Sequence, residues 1–344
     1  MKHLLLTLDY ELYGNGSGNV FEHIIGPTDA ILKIAERHNA KVTILFEVIE
    51  YWRLKEQWEA GNHMGYAADP IKAMEEQVRE AYRMGHDVQL HLHPQWINAE
   101  WNDGRWTVDN SYWRLSSLTE EELIPLFTKG KETLEGIIGD PHYRCHTLRA
   151  GGYNIQPSMA IVKAMRKCGL TVDSSVYPGG YEQGYQTRFD YRKVASDLGE
   201  WYCADTLEQA HGEPTDIKEL PIVAFPVLRL QKYLSIDRLR AIWRNCRSAS
   251  ESFANKTATG GGAKSSLLGK ITFFFKHEAQ TWDYCLFSKS MHRSFLKKVR
   301  RQKHRRVFVL VGHPKSFVSG TGLEYLLRKA EKEYDFPTIS NLQK

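Results

Sequence analysis

The first half of the chain repeats one pattern, in which a short apolar run is followed by a polar segment and then by an amphipathic stretch with helical spacing. The apolar runs are HLLLTL (3–8), KVTILFEV (41–48), DVQLHLH (87–93), CHTLRAGG (145–152) and LTVDSSV (170–176). Short apolar runs bounded by turn residues predict strands. Strands that alternate with helices of about 10–20 residues pair in parallel through right-handed crossovers. The pattern therefore predicts an α/β fold, either a barrel or a doubly wound sheet.

Residues that favour helix termini lie at the expected places. The predicted helices end at Asn39, Gly85, Gly139 and Gly169, each just before a strand. Asparagine and glycine tolerate the left-handed conformation that closes a helix. Another helix is predicted to begin at Ser117-Leu-Thr119, because three glutamates follow and carboxylates are favourable in a first helical turn.

The second half of the chain is less regular. Two further strands are predicted at KELPIVAF (218–225) and RRVFVLVGH (305–313). Between them, residues 228–304 are predicted to form a helical insertion, with a flexible Gly/Ser-rich loop at 256–266. We expect residues 1–344 to form a single domain that carries this insertion.

Composition excludes several classes of protein. The chain has 344 residues, 42% of them apolar and 25% charged, which is typical of a soluble globular protein. Its five cysteines are widely spaced, so neither a disulfide framework nor a zinc ribbon is expected. There is no secretory signal pattern and no apolar run of the length a membrane span needs. We therefore expect a cytoplasmic protein.

Positive charge is concentrated in one segment. The net charge is +5, and RSFLKKVRRQKHRR (293–306) contains eight lysines and arginines. Such a cluster is either a solvated helix face or a site for an anionic partner, such as phosphate or an acidic membrane surface. Because the sequence has no nucleic-acid-binding motif, we expect no nucleic acid partner.

Four predicted strands end in residues that can carry chemistry. Asp9 and Glu11, two residues apart on an extended segment, point to the same side. Their paired charges require a metal, another cation or solvent. His91 and His93 likewise share one strand face, which is a suitable geometry for two imidazole ligands to one metal.

The other two strand ends carry an arginine and a histidine. Arg149 can orient a carboxylate, and the glycines after it allow a backbone N–H to approach a substrate. His313 can act as a general acid near neutral pH. Chemistry in parallel α/β folds takes place at the carboxyl ends of the strands, so these residues together predict a metal-dependent hydrolase.

A family resemblance follows from the order of five motifs, which are TLDYE, GHDVQLHLHP, LRAGGY, VDSSVYPGG and VLVGHP. In order and approximate spacing they resemble the motif series of the polysaccharide deacetylase superfamily, also called the NodB-homology fold or carbohydrate esterase family four. The resemblance covers residues 1–225 and 305–320. It implies a distorted (β/α)7 barrel that removes N- or O-acetyl groups from a sugar or glycan precursor.

The resemblance also implies roles for individual residues. Asp9 would be the general base, Arg149 would orient it, and His313 would protonate the leaving group. Glu11, His91 and a second histidine would hold a divalent metal, commonly zinc. Substrate contacts would come from Gly152, whose amide would help to hold the oxyanion, and from Tyr153, Trp96 and Tyr177. Asp173 and Gln95 would contact the catalytic and metal-binding residues without binding the metal or the substrate themselves.

Two positions depart from the common family pattern. The usual Asp-Asp pair is Asp9-Tyr-Glu11 here, and Gln95 stands where the second histidine usually lies, four residues after His91. We expect His93 to replace that histidine. Gln95 as a weak ligand, or a site that is poor in metal and inactive, are the alternatives.

The substrate is predicted from the surroundings of the motifs. The loop after His93 is rich in aromatic residues, namely Trp96, Trp101, Trp106, Tyr112 and Trp113. Aromatic rings can stack on sugars, but they can also simply cover a barrel. With the basic cluster, they favour a phosphate- or lipid-linked acetylated glycan precursor, with contact at the inner face of the membrane.

Two other functions are compatible with these residues. A glycoside hydrolase could use Asp9 and Glu11 as its carboxylate pair, although it would leave His91 and His93 without a task. A catalytically inactive glycan-binding barrel is the other alternative.

Overall fold

A curled nine-stranded sheet forms the centre of the molecule. The computed structural model describes residues 1–228, 239–240, 243 and 277–342. The strands of the sheet are β1 (Lys2–Tyr10), β2 (Val42–Glu47), β3 (Asp87–Leu92), β6 (Thr147–Ala150), β7 (Val172–Asp173), β10 (Trp201–Cys203), β11 (Ile217–Glu219), β14 (Val307–Gly312) and β15 (Tyr334–Asp335). Three separate strand pairs are β4 (Glu100–Asn102) with β5 (Arg105–Thr107), β8 (Tyr181–Gln183) with β9 (Arg188–Asp190), and β12 (Ala224–Leu228) with β13 (His277–Thr281).

Helices connect the parallel strands and cover the sheet. They are α1 (Gly26–Arg37), α2 (Val48–Glu59), α3 (Pro70–Arg83), α4 (Glu120–Ile138), α5 (Met159–Cys168), α6 (Lys289–Arg301), α7 (Thr321–Ala330) and α8 (Ile339–Leu342). Short 3₁₀ turns span Pro94–Trp96, Asn110–Tyr112, Leu115–Ser117, Gly151–Tyr153 and Pro314–Ser316, and a π-helical turn spans Phe21–Ile25. No helix in the described part of the chain combines the length and apolarity needed to cross a membrane.

The strands follow the order β10, β11, β7, β6, β3, β2, β1, β14, and β15 pairs with the first residues of β1. All pairs except β10 with β11 are parallel. Residues 222–223 link two sides of the curled sheet, because Ile222 donates to the Val176 carbonyl and Val223 donates to the Val309 carbonyl of β14, each at 2.8 Å. This curled parallel sheet confirms the predicted α/β class and the distorted barrel.

The seam of the barrel is the free side of β14, where Val223 bonds to Val309. Nearer the carboxyl end of β14, the segment Trp282–Tyr284 takes the place of Val223. Here Tyr284 donates to the Val311 carbonyl and Val311 donates to the Trp282 carbonyl. The last residue of β14 is Gly312, and the Tyr284 ring occupies the space that a side chain at this position would need. The seam therefore admits a segment from outside the repeating strand–helix units.

Local sequence explains where the helices begin and end. The Asp69 side chain accepts hydrogen bonds from the first turn of α3, and Thr119 forms a reciprocal capping box with Glu122 at the start of α4. Gly139 and Gly169 close α4 and α5 in the left-handed conformation, as predicted. The continuous apolar run of β1 is buried because the sheet is covered on both faces.

Part of the predicted insertion lies outside the described residues. Within 228–304 the structure describes 228, 239–240, 243 and 277–304, which contain β13 and α6, whereas the predicted flexible loop at 256–266 is not among them. The basic cluster 293–306 occupies most of α6 and the turn that leads into β14. Arg305 in this cluster is buried, Arg300 pairs with Glu333, and Lys298 donates to the Pro226 carbonyl.

Candidate metal centre

The strands β1, β3, β6 and β14 bring polar side chains to one rim of the barrel. Asp9 lies near the end of β1, and Glu11 follows that strand. His91 and Arg149 face each other in the parallel register of β3 and β6, and His313 directly follows β14. These residues were predicted at separate strand ends, and the structure brings them together at one rim.

Glu11 lies between two histidines. Its Oε2 atom is 2.6 Å from His93 Nε2 and 3.5 Å from His91 Nε2, and all three side chains are buried. One ligand atom from each residue lies within 4.8 Å of the other two. Zinc binds imidazole nitrogen and carboxylate oxygen at about 2.0–2.2 Å, so ligand atoms at these separations can share one divalent ion.

The donor chemistry of His91 fits a metal. Its Nδ1 donates to the Arg149 carbonyl at 2.9 Å, because a carbonyl oxygen can only accept. Nε2 of the neutral ring is then a lone-pair donor, and it is buried with no hydrogen-bond partner among the described residues. A second hydrogen bond that fixes the tautomer in this way is typical of metal-binding histidines.

His93 is held by Gln95 and by Gly151. Its Nδ1 lies 2.9 Å from the Gln95 amide nitrogen, while the amide oxygen is buried with no partner in the described part of the chain. Turning the amide over would let that oxygen accept from Nδ1–H and leave Nε2 free to bind a metal. A Cβ at Gly151 would lie 2.5 Å from the His93 ring, so only glycine leaves room for the imidazole here.

Asp9 is kept ionised by Arg149. Nη1 of Arg149 donates to Asp9 Oδ1 and to Thr7 Oγ1, both at 2.7 Å, and the rest of the guanidinium is held by Ser174. Burial raises the pKa of Asp9, but the Arg149 guanidinium, together with the nearby His91 and His313, more than offsets this, so the pKa is lowered. An ionised carboxylate beside the metal site can accept a proton.

His313 is oriented by a carboxylate from the open seam. Its Nδ1 donates to Asp283 Oδ2 at 2.8 Å, and its Nε2 faces Asp9 Oδ2 at 3.5 Å. Burial lowers the pKa of His313, but the Asp283 carboxylate outweighs burial and raises the pKa overall. The ring can therefore carry a proton on the side that faces the site.

Asp173 lies one layer behind Arg149. Its carboxylate accepts hydrogen bonds from the amide and the hydroxyl of Ser175, and that hydroxyl in turn accepts from the Ala150 amide. Burial and the neighbouring Asp173 raise the pKa of Glu219 well above its usual range. Asp173 thus fixes the backbone at the end of β6 and does not reach the metal ligands.

The predicted substrate-binding residues differ in how far they are exposed to solvent. Gly152 is exposed at the rim with a φ of +58°, and the Tyr153 ring packs edge-to-face on Tyr177 at 5.2 Å. Trp96 is 1% exposed and packs against Trp106, so it presents no face to solvent.

Trp113, one of the aromatic residues in the loop after His93, lies over the rim. The Trp113 ring is half-buried and lies 3.2 Å from where a Cβ would be at Gly14 and 3.8 Å from the corresponding point at Gly152. It therefore spans the loops that follow β1 and β6. Its position there makes Trp113 a better candidate than Trp96 for contact with a sugar ring.

Sequence reasoning missed three residues of the site. Asp283 lies in an apolar run, and a lone carboxylate in such a run is a signal that could have been noticed. Gly151 was considered only as one of the glycines that let a backbone N–H approach a substrate, and its contact with the His93 ring was missed. Lys315 lies two residues after His313 and donates to Glu11 Oε1 at 2.8 Å. Its signal was only its proximity to the histidine.

Sequence comparison gives no relative, since no family model and no curated protein sequence matches the chain. Comparison with solved structures does find similar proteins. A protein from Mycobacterium smegmatis assigned as a polysaccharide deacetylase superposes with a TM-score of 0.50 at 14% identity, over 99% of this chain and 88% of that chain. The fold is that of a polysaccharide deacetylase. The fold implied by the motif resemblance is thereby confirmed.

The deacetylase fold alone does not fix the reaction. A GH57-type branching enzyme from Pyrococcus horikoshii matches with a TM-score of 0.51 at 12% identity, over 99% of this chain and 70% of that chain. Because one fold carries different chemistries, the function must be argued from the side chains at the rim.

Proposed function

We propose that the chain is a metal-dependent hydrolase that removes acetyl groups from a sugar or glycan precursor. The observation that carries this proposal is the convergence of Glu11, His91 and His93 beside a carboxylate whose pKa is lowered and opposite a histidine whose pKa is raised. This is the donor set and the acid–base pair that hydrolysis of an amide or ester needs.

Glu11, His91 and His93 would hold the divalent ion, with zinc the best match to the donors. When bound, the ion would polarise the acetyl carbonyl and make a water molecule more acidic. Three protein ligands leave further coordination positions for water and substrate.

The proton transfers belong to Asp9 and His313. The water oxygen attacks the acetyl carbon, and Asp9 accepts a proton from this water. The bond from that carbon to the sugar nitrogen or oxygen then breaks, and His313 Nε2 donates a proton to the leaving atom. Acetate and a free amine or hydroxyl result, and hydrogen bonds from Arg149 to Asp9 and from His313 to Asp283 hold the two groups in place.

The same electrostatics argue against the glycoside hydrolase alternative. Such an enzyme needs a carboxylic acid with a raised pKa to protonate the leaving oxygen. Burial raises the pKa values of Asp9 and Glu11. Arg149 with two nearby histidines lowers the pKa of Asp9 overall, and His93 with Lys315 lowers that of Glu11. Neither carboxylate is suited to be that acid.

The substrate is proposed from the rim. Trp113 and Tyr153 flank Gly152 and offer aromatic surface beside the site. We expect an acetylated saccharide, and a phosphate- or lipid-linked precursor at an acidic membrane surface remains part of the proposal. The basic cluster precedes β14, so it lies about one strand length from the rim and would contact only a distant part of such a substrate.

The test is acetate release from a panel of acetylated glycan precursors, with and without a chelator. We expect release that the chelator abolishes and that added zinc restores. Asp9→Asn should lower the rate about 100-fold or more while metal stays bound, because the proton acceptor is lost and Glu11, His91 and His93 are unchanged. A variant that keeps the wild-type rate would remove Asp9 from the mechanism, and release that a chelator leaves unchanged would contradict the metal.

A further inference from the structure

Lys315 is an unusual lysine, because its half-buried side chain places the ammonium group in the candidate metal centre. Nζ donates to Glu11 Oε1 at 2.8 Å and to the Leu12 carbonyl at 2.7 Å, and the side chain is 13% exposed. Its backbone carbonyl accepts from the Tyr13 hydroxyl at 3.1 Å, which holds the Lys315 turn against the loop after β1. A surface lysine would be free to move, whereas this one is fixed.

Two possible metal-binding groups meet at Glu11. One consists of Glu11, His91 and His93, and the other of Asp9, Glu11 and His313, each with ligand atoms within 4.8 Å of one another. The two oxygens of Glu11 face different groups. Oε2 lies nearest the histidine pair, and Oε1 lies 3.9 Å from His313 and accepts the Lys315 ammonium.

The arrangement resembles a two-metal site in which one position is already taken by a charge. In two-metal centres a shared ligand lies between ions about 3.5–4 Å apart. Here the Glu11 carboxylate is shared between the histidine pair and an ammonium group. A fixed positive charge at Oε1 neutralises the carboxylate and repels a second divalent ion.

We propose that the Lys315 ammonium is a resident cation that takes the place of a second metal ion and restricts the centre to one divalent ion at His91 and His93. This inference rests on the proposed function only in assuming that one divalent ion binds at His91 and His93. Lys315 is therefore a positioning residue, because its hydrogen bond occupies Oε1 of Glu11 and leaves Oε2 free to bind the metal.

The experiment counts the zinc bound per chain. Metal-free full-length protein is titrated with zinc by calorimetry, and the count is checked by elemental analysis after gel filtration. We expect one equivalent for the wild type and for Lys315→Arg, which keeps the charge. We expect two equivalents for Lys315→Met, which keeps the length of the side chain and removes the charge, and for Lys315→Gln, a second neutral variant should the first fail to fold.

Lys298→Met is the matched control. Lys298 also donates to a backbone carbonyl, that of Pro226, but it lies on α6 away from the rim, and this variant should bind one equivalent. A single equivalent in both neutral variants of Lys315 would overturn the proposal, as would two equivalents in the wild type. A wild type that binds one ion but releases no acetate would contradict the proposed hydrolysis and leave the zinc count as support for Lys315.

Discussion

At the scale of single residues, the candidate site consists of buried charges that compensate one another in pairs. Asp9 lies against Arg149, Glu11 against Lys315, and Asp283 against His313. An isolated buried charge is costly, and removing one partner leaves the other uncompensated. Each pair therefore does two things, since it makes burial possible and fixes which groups are available to metal and substrate.

Gly151 gives a prediction about the shape of this site. We expect Gly151→Ala to lower zinc affinity about 10- to 100-fold, because the added Cβ would overlap the His93 ring and displace the imidazole from Glu11. The affinity is measured by competition with a chromophoric chelator.

Gly136 offers the matched control for that substitution. A Cβ at Gly136 in α4 meets no atom within 4 Å. Gly136→Ala should leave zinc affinity unchanged and stabilise the helix by about 0.5–1 kcal/mol. If Gly151→Ala bound zinc as tightly as the wild type, the close contact with His93 would not matter for the metal.

Residues of the site differ in how readily the sequence reveals them. The alternation of polar and apolar positions, with parallel strand polarity, is enough to place His91 and Arg149 at a common rim. Lys315 and Asp283 reach the site from a 3₁₀ turn and from the seam of the barrel, where no periodic pattern applies. The buried Trp96 shows the opposite limit, because composition cannot tell which aromatic residues of a loop face solvent.

At the scale of elements, helix boundaries were predictable where capping residues mark them, and α2 was missed. Glu47 is both the last residue of β2 and the N-cap of α2, and its side chain accepts from the Ile49 and Glu50 amides. No polar loop separates the two elements. The first residues of α2 include Val48, Ile49 and Tyr51, which favour strands, so the pattern gives no sign that the strand has ended.

The start of β2 depends on a buried histidine. Nδ1 of His86 accepts from the Val42 amide at 3.0 Å, and burial, with Lys41 nearby, lowers the pKa of His86 to about 4. The unfolded chain, with an ordinary histidine pKa near 6.5, binds a proton at higher pH than the folded one. Stability from this residue is therefore present above pH 6.5 and is lost as the pH falls from about 6.5 to 4.

We expect His86→Gln to lose less unfolding free energy than the wild type on acidification from pH 7 to 4. The difference should be about 3 kcal/mol, since one pKa unit corresponds to about 1.4 kcal/mol. Urea unfolding at several pH values measures it. His304→Gln, at an exposed position, should follow the wild type, and equal pH slopes for His86→Gln and wild type would refute the prediction.

At the scale of the whole molecule, Arg305 links the start of β14 to two other segments of the chain. Its guanidinium donates to the carbonyls of Val307, Ser196 and Pro221, which lie on both sides of the seam. Arg305 was predicted as part of a basic surface cluster, but its side chain is 2% exposed and serves the interior. Charge patterning along a sequence does not distinguish such an arginine from its exposed neighbours.

We expect Arg305→Met to lower the free energy of unfolding by about 3 kcal/mol or more, because buried carbonyls would lose their donor. Urea denaturation measures the change. Arg306→Met at the exposed next position should stay within about 0.5 kcal/mol of the wild type. Equal losses in the two variants would show that the closure of the barrel does not depend on Arg305.

Asp283 arrives on the stretch that the chain inserts before β14, whereas Glu11, His91 and His93 belong to the repeating strand–helix units. The candidate metal ligands and the carboxylate that orients His313 thus come from different parts of the chain. In the proposed hydrolysis, changes confined to the inserted stretch would alter the acid without disturbing the metal ligands. The barrel would surround the acetyl group, and the insertion would set how readily the sugar departs.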